Sequence, residues 1–402
     1  MNSVGIDVSK GKSMIAVMRP FGEVVVSPFE IHHTDSELCE LAKLLRSLPG
    51  ETRVVMEATG NYHLPVAWML NDSGFYVSVV NAMLVHDYGN NSLRRVKTDK
   101  KDAIKLANYG LDHWLTLPRY VPEEDTRLML KNCYRQYQQY AKVQTMLKNN
   151  LISLLDTAFP NANRLFLSPP RADGSEKWLD FVAAFWHCEC VCGLSEKAFI
   201  TKYQKWCKKH GYNFSQNKAL DIYAEACGHV SVMPKSNTAK LVVEQAISQL
   251  QATSSALATL KKEMQDLATS LPEYPVVMKM FGVGPALGPQ LMAEIGDVRR
   301  FHSKKALVAF AGLDSPPNDS GQVTNNHKSM TKRGSSSLRR TLFLIMSVIL
   351  QNSPVDEPVY QFMDKKRAEG KPYRVYMMAS ANKFLRIYYA SVKAHLDALE
   401  ED

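Results

Sequence analysis

Val4-Gly5-Ile6-Asp7-Val8-Ser9-Lys10-Gly11-Lys12-Ser13-Met14-Ile15-Ala16-Val17-Met18 reads as two strands joined by a tight turn. Apolar residues run through 3–8 and 13–18, and Ser9-Lys10-Gly11-Lys12 supplies the turn between them. A third strand, 23–27, follows Pro20-Phe21-Gly22. Asp7 stands inside the first strand. A carboxylate there is costly to bury unless it is paired, hydrogen-bonded or metal-bound; the alternative is an edge-strand aspartate facing water. Working outward, 34–48 carries Leu38, Leu41, Leu44, Leu45 and Leu48 at amphipathic-helix spacing. Residues 53–56 form a fourth strand ending at Glu57, Ala58-Thr59-Gly60-Asn61-Tyr62 leads into a helix through residue 71, and 75–80 is a fifth strand.

Three consecutive strands, then alternating helix and strand, describe an α/β domain of the RNase H-like type. In that fold a carboxylate on the first strand, one at the end of the fourth and one or two on a later helix converge. The later helix is predicted from Arg94-Arg95-Val96-Lys97-Thr98-Asp99-Lys100-Lys101-Asp102-Ala103. Asp99 and Asp102, at i and i+3, share a face at its positive end, and Thr98 is placed to cap it. Arg94, Arg95, Lys97, Lys100 and Lys101 surround them; taken alone, the segment also fits a solvated first turn of mixed charge. Asp7, Glu57, Asp99 and Asp102 together can neutralise two divalent cations, which clamp the attacking and leaving oxygens of phosphoryl transfer. Oxygen-only ligands favour Mg²⁺ or Mn²⁺ over zinc.

Beyond residue 120 the pattern becomes helical. Leu130, Tyr134, Tyr137, Ala141, Gln144, Lys148, Leu151 and Leu155 alternate at steps of four and three within 123–157, a heptad seam with two polar interruptions. Residues 238–271 repeat it with Val243, Ile247, Leu250, Ser254, Leu257, Lys261, Met264, Ala268 and Leu271. Such coiled-coil helices form an antiparallel hairpin or pair between subunits. Between them, 160–235 opens with Ser168-Pro169-Pro170 and is expected to be a helical insert. His187-Cys188-Glu189-Cys190-Val191-Cys192 and Cys207…His210 invite a zinc reading. The spacing is unlike a Cys-x₂₋₄-Cys knuckle, and the cysteines, on one face if this were a strand, are read instead as reduced core residues. The expected domains are 1–120; the helices 121–159 and 236–271; the insert 160–235; and a mainly α-helical domain, 272–402.

That last domain opens with Phe281-Gly282-Val283-Gly284-Pro285-Ala286-Leu287-Gly288 and a helix over 289–295. The pattern resembles a helix-hairpin-helix, whose glycine amides bind a backbone phosphate; a plain packing element fits equally well. Between 299 and 340, Arg299, Arg300, Lys304, Lys305, Lys328, Lys332, Arg333, Arg339 and Arg340 face only Asp314 and Asp319. With Gly282 and Gly284, these cations are candidates for phosphate contact. Residues 342–350 and 376–396 read as helices with core-facing apolar stripes.

A formal net charge of +9 favours a polyanionic partner, nucleic acid first. No apolar run reaches membrane-spanning length, Asp7 and Lys10 interrupt any signal-peptide pattern, and a cytoplasmic protein is expected. Seven cysteines, an odd number, suggest reduced thiols.

Gly5-Ile6-Asp7-Val8-Ser9-Lys10, Met56-Glu57-Ala58-Thr59-Gly60-Asn61-Tyr62 and Lys97-Thr98-Asp99-Lys100-Lys101-Asp102-Ala103 resemble the three signature blocks of the DEDD transposases of bacterial insertion sequences. These are relatives of the Piv-type DNA invertases with a RuvC-like N-terminal domain. Asp7, Glu57, Asp99 and Asp102 match the family tetrad. The C-terminal blocks Gly312-Leu313…Pro316…Ser320-Gly321 and Lys332-Arg333-Gly334…Leu338-Arg339 match as well, which implies that Ser320 is a nucleophile, with Ser315 and Ser335–Ser337 as rivals. The resemblance further implies a phosphoserine–DNA link, donor and target DNA chosen by a non-coding bridge RNA, and a homo-oligomer, dimer or tetramer, on nucleic acid. Two alternatives stand beside it: a RuvC-like junction endonuclease that uses water, and a non-catalytic nucleic-acid-binding regulator.

Overall fold

The computed structural model describes residues 1–88, 98–315 and 329–401, together with the backbone of 319–320 and 323–324. The chain divides into two units, Met1–Glu123 and Glu124–Asp402. In the first, β1 (Asn2–Ser9), β2 (Lys12–Arg19) and β3 (Glu23–His32) form an antiparallel meander. They are followed by α1 (Asp35–Ser47), β4 (Thr52–Glu57), α2 (Leu64–Asp72), β5 (Tyr76–Val80), α3 (Ala82–Asp87) and α4 (Asp99–Asp112). The sheet order is β3-β2-β1-β4-β5, with β4 parallel to β1 and β5 parallel to β4, so the domain is α/β with a mixed sheet.

Side chains alternate across that sheet. Val4, Ile6, Val8, Val54 and Met56 enter one core with Leu38, Leu41 and Leu45 of α1 and Val66 and Leu70 of α2. Val55 and Val80 enter the other, against Leu106 and Tyr109 of α4. Each large apolar side chain contributes roughly 1.5–3 kcal/mol on burial, so this alternation fixes which face each strand residue takes. The third strand runs past its expected end at 27. Pro28 reads as a stop, but β3 is an edge strand and the register shifts between Ile15 and Val17, where the proline goes unpaired.

The second unit contains α5 (Asp125–Ala158), α6 (Lys177–Ala184), α7 (Glu189–Cys192), α8 (Glu196–Lys209), α9 (Gln216–Gly228) and α10 (Asn237–Thr269). It continues with α11 (Tyr274–Met278), α12 (Gly288–Ile295), α13 (Lys304–Phe310), the short strands β6 (Asp319–Ser320) and β7 (Val323–Thr324), α14 (Ser336–Asn352), α15 (Pro358–Ala368) and α16 (Tyr373–Glu401). Leu130 and Tyr134, early in α5, share a core with Met264 and Ala268, late in α10. Leu151 and Leu155 share another with Val243, Ile247 and Leu250. The two helices are therefore an antiparallel pair within the chain. Their polar interruptions meet where Gln144 Nε2 donates to Ser254 Oγ at 2.9 Å. Lys148 leaves the seam for Glu176, at 2.9 Å. Both seams are consumed inside the chain, so the heptad spacing offers no separate sign of pairing between subunits.

The cysteine-rich stretch departs from the strand considered for it. Glu189–Cys192 is one turn of helix, which puts Cys190 opposite Cys188 and Cys192. All the cysteines are free thiols, and in this stretch no three His, Cys, Asp or Glu side chains among the described residues stand together as a metal site would need. No helix among the described residues is long and apolar enough to cross a membrane.

Candidate active site

Small residues set where α4 lies. A Cβ on Gly5 would stand 2.0 Å from Ala103 O and 2.4 Å from Ala107 N. Two turns beyond Ala103, a Cβ on Gly110 would meet Ser3 Oγ at 2.3 Å. Ala103, Ala107 and Gly110 thus let α4 run antiparallel to β1 at near backbone contact. Its first turn accordingly overhangs the C-terminal end of β1.

Two of the acids close adjacent strands at that end. Asp7, two residues after Gly5, and Glu57, two after Val55, take the face that α4 covers. The parallel register pairs Ile6 with Met56. One residue further it sets Asp7 beside Glu57, on strands about 4.8 Å apart. On α4, Asp99 precedes Ala103 by one turn and Asp102 precedes Leu106 by one turn, so both lean towards the sheet. Thr98 caps the helix as expected, its Oγ1 accepting from Lys101 N at 3.3 Å, and both acids sit at the favourable end of the helix dipole. Lys12, at the β1–β2 turn, pairs with Glu30 at 2.8 Å. Its amine is raised chiefly by the hydrogen bond and charge of Glu30, and also by the charge of Asp99.

Asp7, Glu57 and Asp102 are half-buried and Asp99 is exposed. The donors are all carboxylate oxygens, a set that suits Mg²⁺ or Mn²⁺. Among the described residues no three such side chains stand close enough together to hold an ion. Lys100 and Lys101 lie exposed on that turn, whereas Arg94, Arg95 and Lys97 fall outside the described residues.

Ser320 belongs to the second unit. β6 pairs antiparallel with β7, Ser320 opposite Val323; Gly321 falls outside the described residues. The chain on either side of this segment is clamped. Lys332 N donates to Gly312 O at 3.1 Å, Thr331 N to Asp314 O at 2.9 Å and Ser335 N to Phe310 O at 2.8 Å. Arg339 Nη1 reaches back to Ala311 O at 2.9 Å and Gly334 O at 3.2 Å. Gly334 has no room for a side chain, since a Cβ would lie 2.3 Å from Phe310 O. Gly312-Leu313 and Lys332-Arg333-Gly334…Arg339 are thus two halves of one clamp that closes the ends of the serine segment.

Two rival serines are engaged in packing. Ser335 Oγ accepts from Leu338 N at 3.1 Å as the cap of α14 and donates to Glu294 Oε2 at 2.6 Å. Ser337 Oγ donates to Gln138 Oε1 at 2.9 Å. Ser315 and Ser336 are exposed. Glu294, buried on α12 and held by Arg135 at 3.0 Å, was missed by the sequence reasoning. A lone acid in the apolar run Leu291-Met292-Ala293-Glu294-Ile295 was the available signal.

The basic stripe divides. Arg299 is held by Asp297 at 2.7 Å and by Glu400. Arg300 Nε donates to Ile295 O at 3.0 Å, and its guanidinium stacks on Phe301 and Phe310. These two and Arg339 have partners within the fold. Lys304, Lys305, Lys332, Arg333 and Arg340 are exposed, and Lys328 falls outside the described residues. In the glycine turn, Gly282 at φ +82° faces α14, where a Cβ would stand 3.0 Å from Ile349 Cγ1, while Gly284 opens to solvent. The packing alternative therefore accounts for Gly282.

A DEDD-type transposase model, described as Transposase, matches residues 4–160, and the model described as Transposase IS116/IS110/IS902 family matches residues 274–361. The pilin gene-inverting protein of Moraxella bovis is 23% identical over 341 residues, 85% of this chain and 80% of the relative. The uncharacterized 44.8 kDa protein of insertion element IS116 from Streptomyces clavuligerus is 22% identical over 392 residues, 97% of this chain and 94% of the relative. A T. thermophilus RuvC in complex with Holliday junction substrate covers 30% of this chain and 99% of its own, at 13% identity and a TM-score of 0.23, too slight a likeness to carry the fold or the site. With two transposase models matched over separate stretches and relatives aligned along most of its length, the chain carries the domains of DEDD transposases of the IS116/IS110/IS902 kind.

Proposed function

We propose that the chain is the transposase of an insertion sequence, a site-specific recombinase that cuts and rejoins DNA through Ser320. The observation that carries this reading is that Asp7 and Glu57 close adjacent parallel strands on the face that α4 covers, while Asp99 and Asp102 occupy the first turn of α4. The family supports it, as does the clamp that presents the serine segment.

Ser320 Oγ bonds to a backbone phosphorus and gives up its proton, while one deoxyribose oxygen leaves as a hydroxyl. A hydroxyl of the new partner strand then attacks the phosphoserine, restores the phosphodiester and frees Ser320. The covalent link conserves the bond energy, so no external energy source is needed. A serine hydroxyl is a weak nucleophile until its proton is drawn off. Asp7, Glu57, Asp99 and Asp102 would hold Mg²⁺ or Mn²⁺, which when bound supplies charge neutralisation at the phosphate oxygens. Lys304, Lys305, Lys332, Arg333 and Arg340 hold the phosphates of donor and target DNA. A bridge RNA that selects those sites, and assembly as a dimer or tetramer on nucleic acid, belong to the same reading.

Ser320→Ala should abolish covalent capture of DNA and leave affinity for DNA unchanged. Asp7→Ala and Glu57→Ala should abolish it with the fold intact. Protein–DNA adducts on denaturing gels, with the linkage mapped by mass spectrometry, decide the matter. An adduct on Ser315 or Ser336 would move the nucleophile, and free cleaved ends without any adduct would favour a water-using endonuclease.

A further inference from the structure

Within the second unit, α15 and α16 enclose a groove against the clamp. Its volume is about 700 Å³, and its walls include Leu313, Ser315, Met330, Phe362, Val375 and Met378. That is within the roughly 300–1,000 Å³ of small-ligand pockets. The inner stripe of α16, Met377, Phe384, Leu385 and Tyr388, is buried in the core. The outer stripe turns Arg374, Val375, Met378, Asn382, Lys383 and Arg386 to the groove. Ser315 and Met330 place its mouth at the two ends of the serine segment.

The lining has one sign of charge. Lys332, Arg374, Lys383 and Arg386 are cations, and no carboxylate accompanies them. Among the described residues none of the four is in an ion pair; Lys383 instead lies 5.1 Å over the ring of Phe362. Cations crowded round an apolar floor repel one another and are relieved by an anion. The occupant that suits both features is flat and apolar at one end and anionic at the other.

We infer that the groove holds one unpaired nucleotide of a strand bound at the serine segment. Its base lies against Phe362, Met330 and Met378, and its phosphate meets Arg374, Lys383 and Arg386. Base–aromatic stacking with a flanking cation is how proteins hold unpaired nucleotides without reading sequence. Asn382, at the rim, is the one side-chain amide in the lining and can bond to a base edge.

This rests on the nucleic-acid reading above, but not on the identity of the nucleophile, so binding is measured in full-length Ser320→Ala protein. The probes are a duplex with one unpaired fluorescent adenine analogue and the same duplex fully paired. The unpaired probe should bind about tenfold tighter, and its fluorescence should be quenched on binding. Val375→Glu, setting a carboxylate among Arg374, Lys383 and Arg386 from an exposed position, should erase preference and quenching without changing affinity for the paired duplex. Equal affinity for both probes, or a preference that survives Val375→Glu, would overturn the assignment. So would a Val375→Glu change in sedimentation with the preference intact, which gives the groove to a second copy of the chain. Binding to neither probe would strike down the nucleic-acid reading itself, and the groove assignment with it.

Discussion

Gly5→Ala tests whether the approach of α4 sets the acids. A methyl at Gly5 would sit 2.0 Å from Ala103 O, 2.4 Å from Ala107 N and 3.0 Å from Ala107 Cα. Non-bonded carbon atoms are best placed about 3.5–4.0 Å apart, so the helix has to lift by roughly 1–1.5 Å. All three obstacles are backbone atoms, and no side chain can swing aside to relieve them. Overpacking of this kind costs about 1–3 kcal/mol, and this site should lie at the upper end. Activity should fall further than stability, since a displacement of about 1 Å at reacting groups costs roughly 10²-fold in rate. Gly11→Ala is the control. Gly11 has φ +77° and nothing within 4 Å of a Cβ, so alanine there adds only about 1–2 kcal/mol of left-handed strain and leaves α4 in place. Urea unfolding midpoints and DNA-adduct yield for the two variants make the comparison. Wild-type stability and activity in Gly5→Ala, or an equal loss of activity in Gly11→Ala, would refute the reasoning.

Gly334→Ala drives a methyl against Phe310 O and should open the clamp, cutting adduct yield about tenfold or more while gel-shift affinity for DNA holds. Glu273→Gln removes the buried carboxylate whose Oε2 accepts from Arg127 Nη2 at 2.9 Å, and leaves the buried guanidinium only the exposed Glu124 at 3.3 Å. It should destabilise the second unit by about 3–5 kcal/mol in urea, whereas replacing both partners with apolar residues should cost less. Burial works to raise the Asp297 carboxyl, but hydrogen bonds from the Arg299 side chain and backbone together hold it below its ordinary range. A lowered folded value means that its stabilisation is present above the unfolded pKa of about 3.9 and fades as pH falls through the folded one. Unfolding midpoints taken below about pH 4 should therefore drop less in Asp297→Asn than in the native chain.

Much of the first unit was legible because strands announce themselves. The alternation that buries Ile6 and Met56 leaves Asp7 and Glu57 on the opposite face, and the capping residue Thr98 marks where α4 begins. Elsewhere the signal was ambiguous or used up. The third strand hid behind Pro28, which only an edge position and a register shift allow. The heptad seams of α5 and α10 have the same spacing whether they meet each other or another chain, and Gln144 against Ser254 shows which. Arg299, Arg300 and Arg339 are candidate phosphate contacts on charge alone, and net charge counts a cation without its partner. Asp297, Glu400 and the carbonyls of Ile295, Ala311 and Gly334 are visible as partners only once the chain has folded.

The glycines in the matched blocks follow from the same physics as the acids. Because strands alternate, the residue that permits α4 to approach, Gly5, and the residue that uses the approach, Asp7, must share a face at a spacing of two. Because α4 runs antiparallel to β1, the small residues Ala103, Ala107 and Gly110 must follow the acids Asp99 and Asp102 along the helix. The second unit repeats this logic with other parts. Gly312 and Gly334 let two backbone stretches touch, Arg339 ties them, and the segment between their ends carries Ser320. In the first unit the acid Asp7 follows such a contact by two residues; in the second the contact closes the ends of the segment proposed to carry the nucleophile. A substitution at the contact should therefore cost activity although it touches no phosphate.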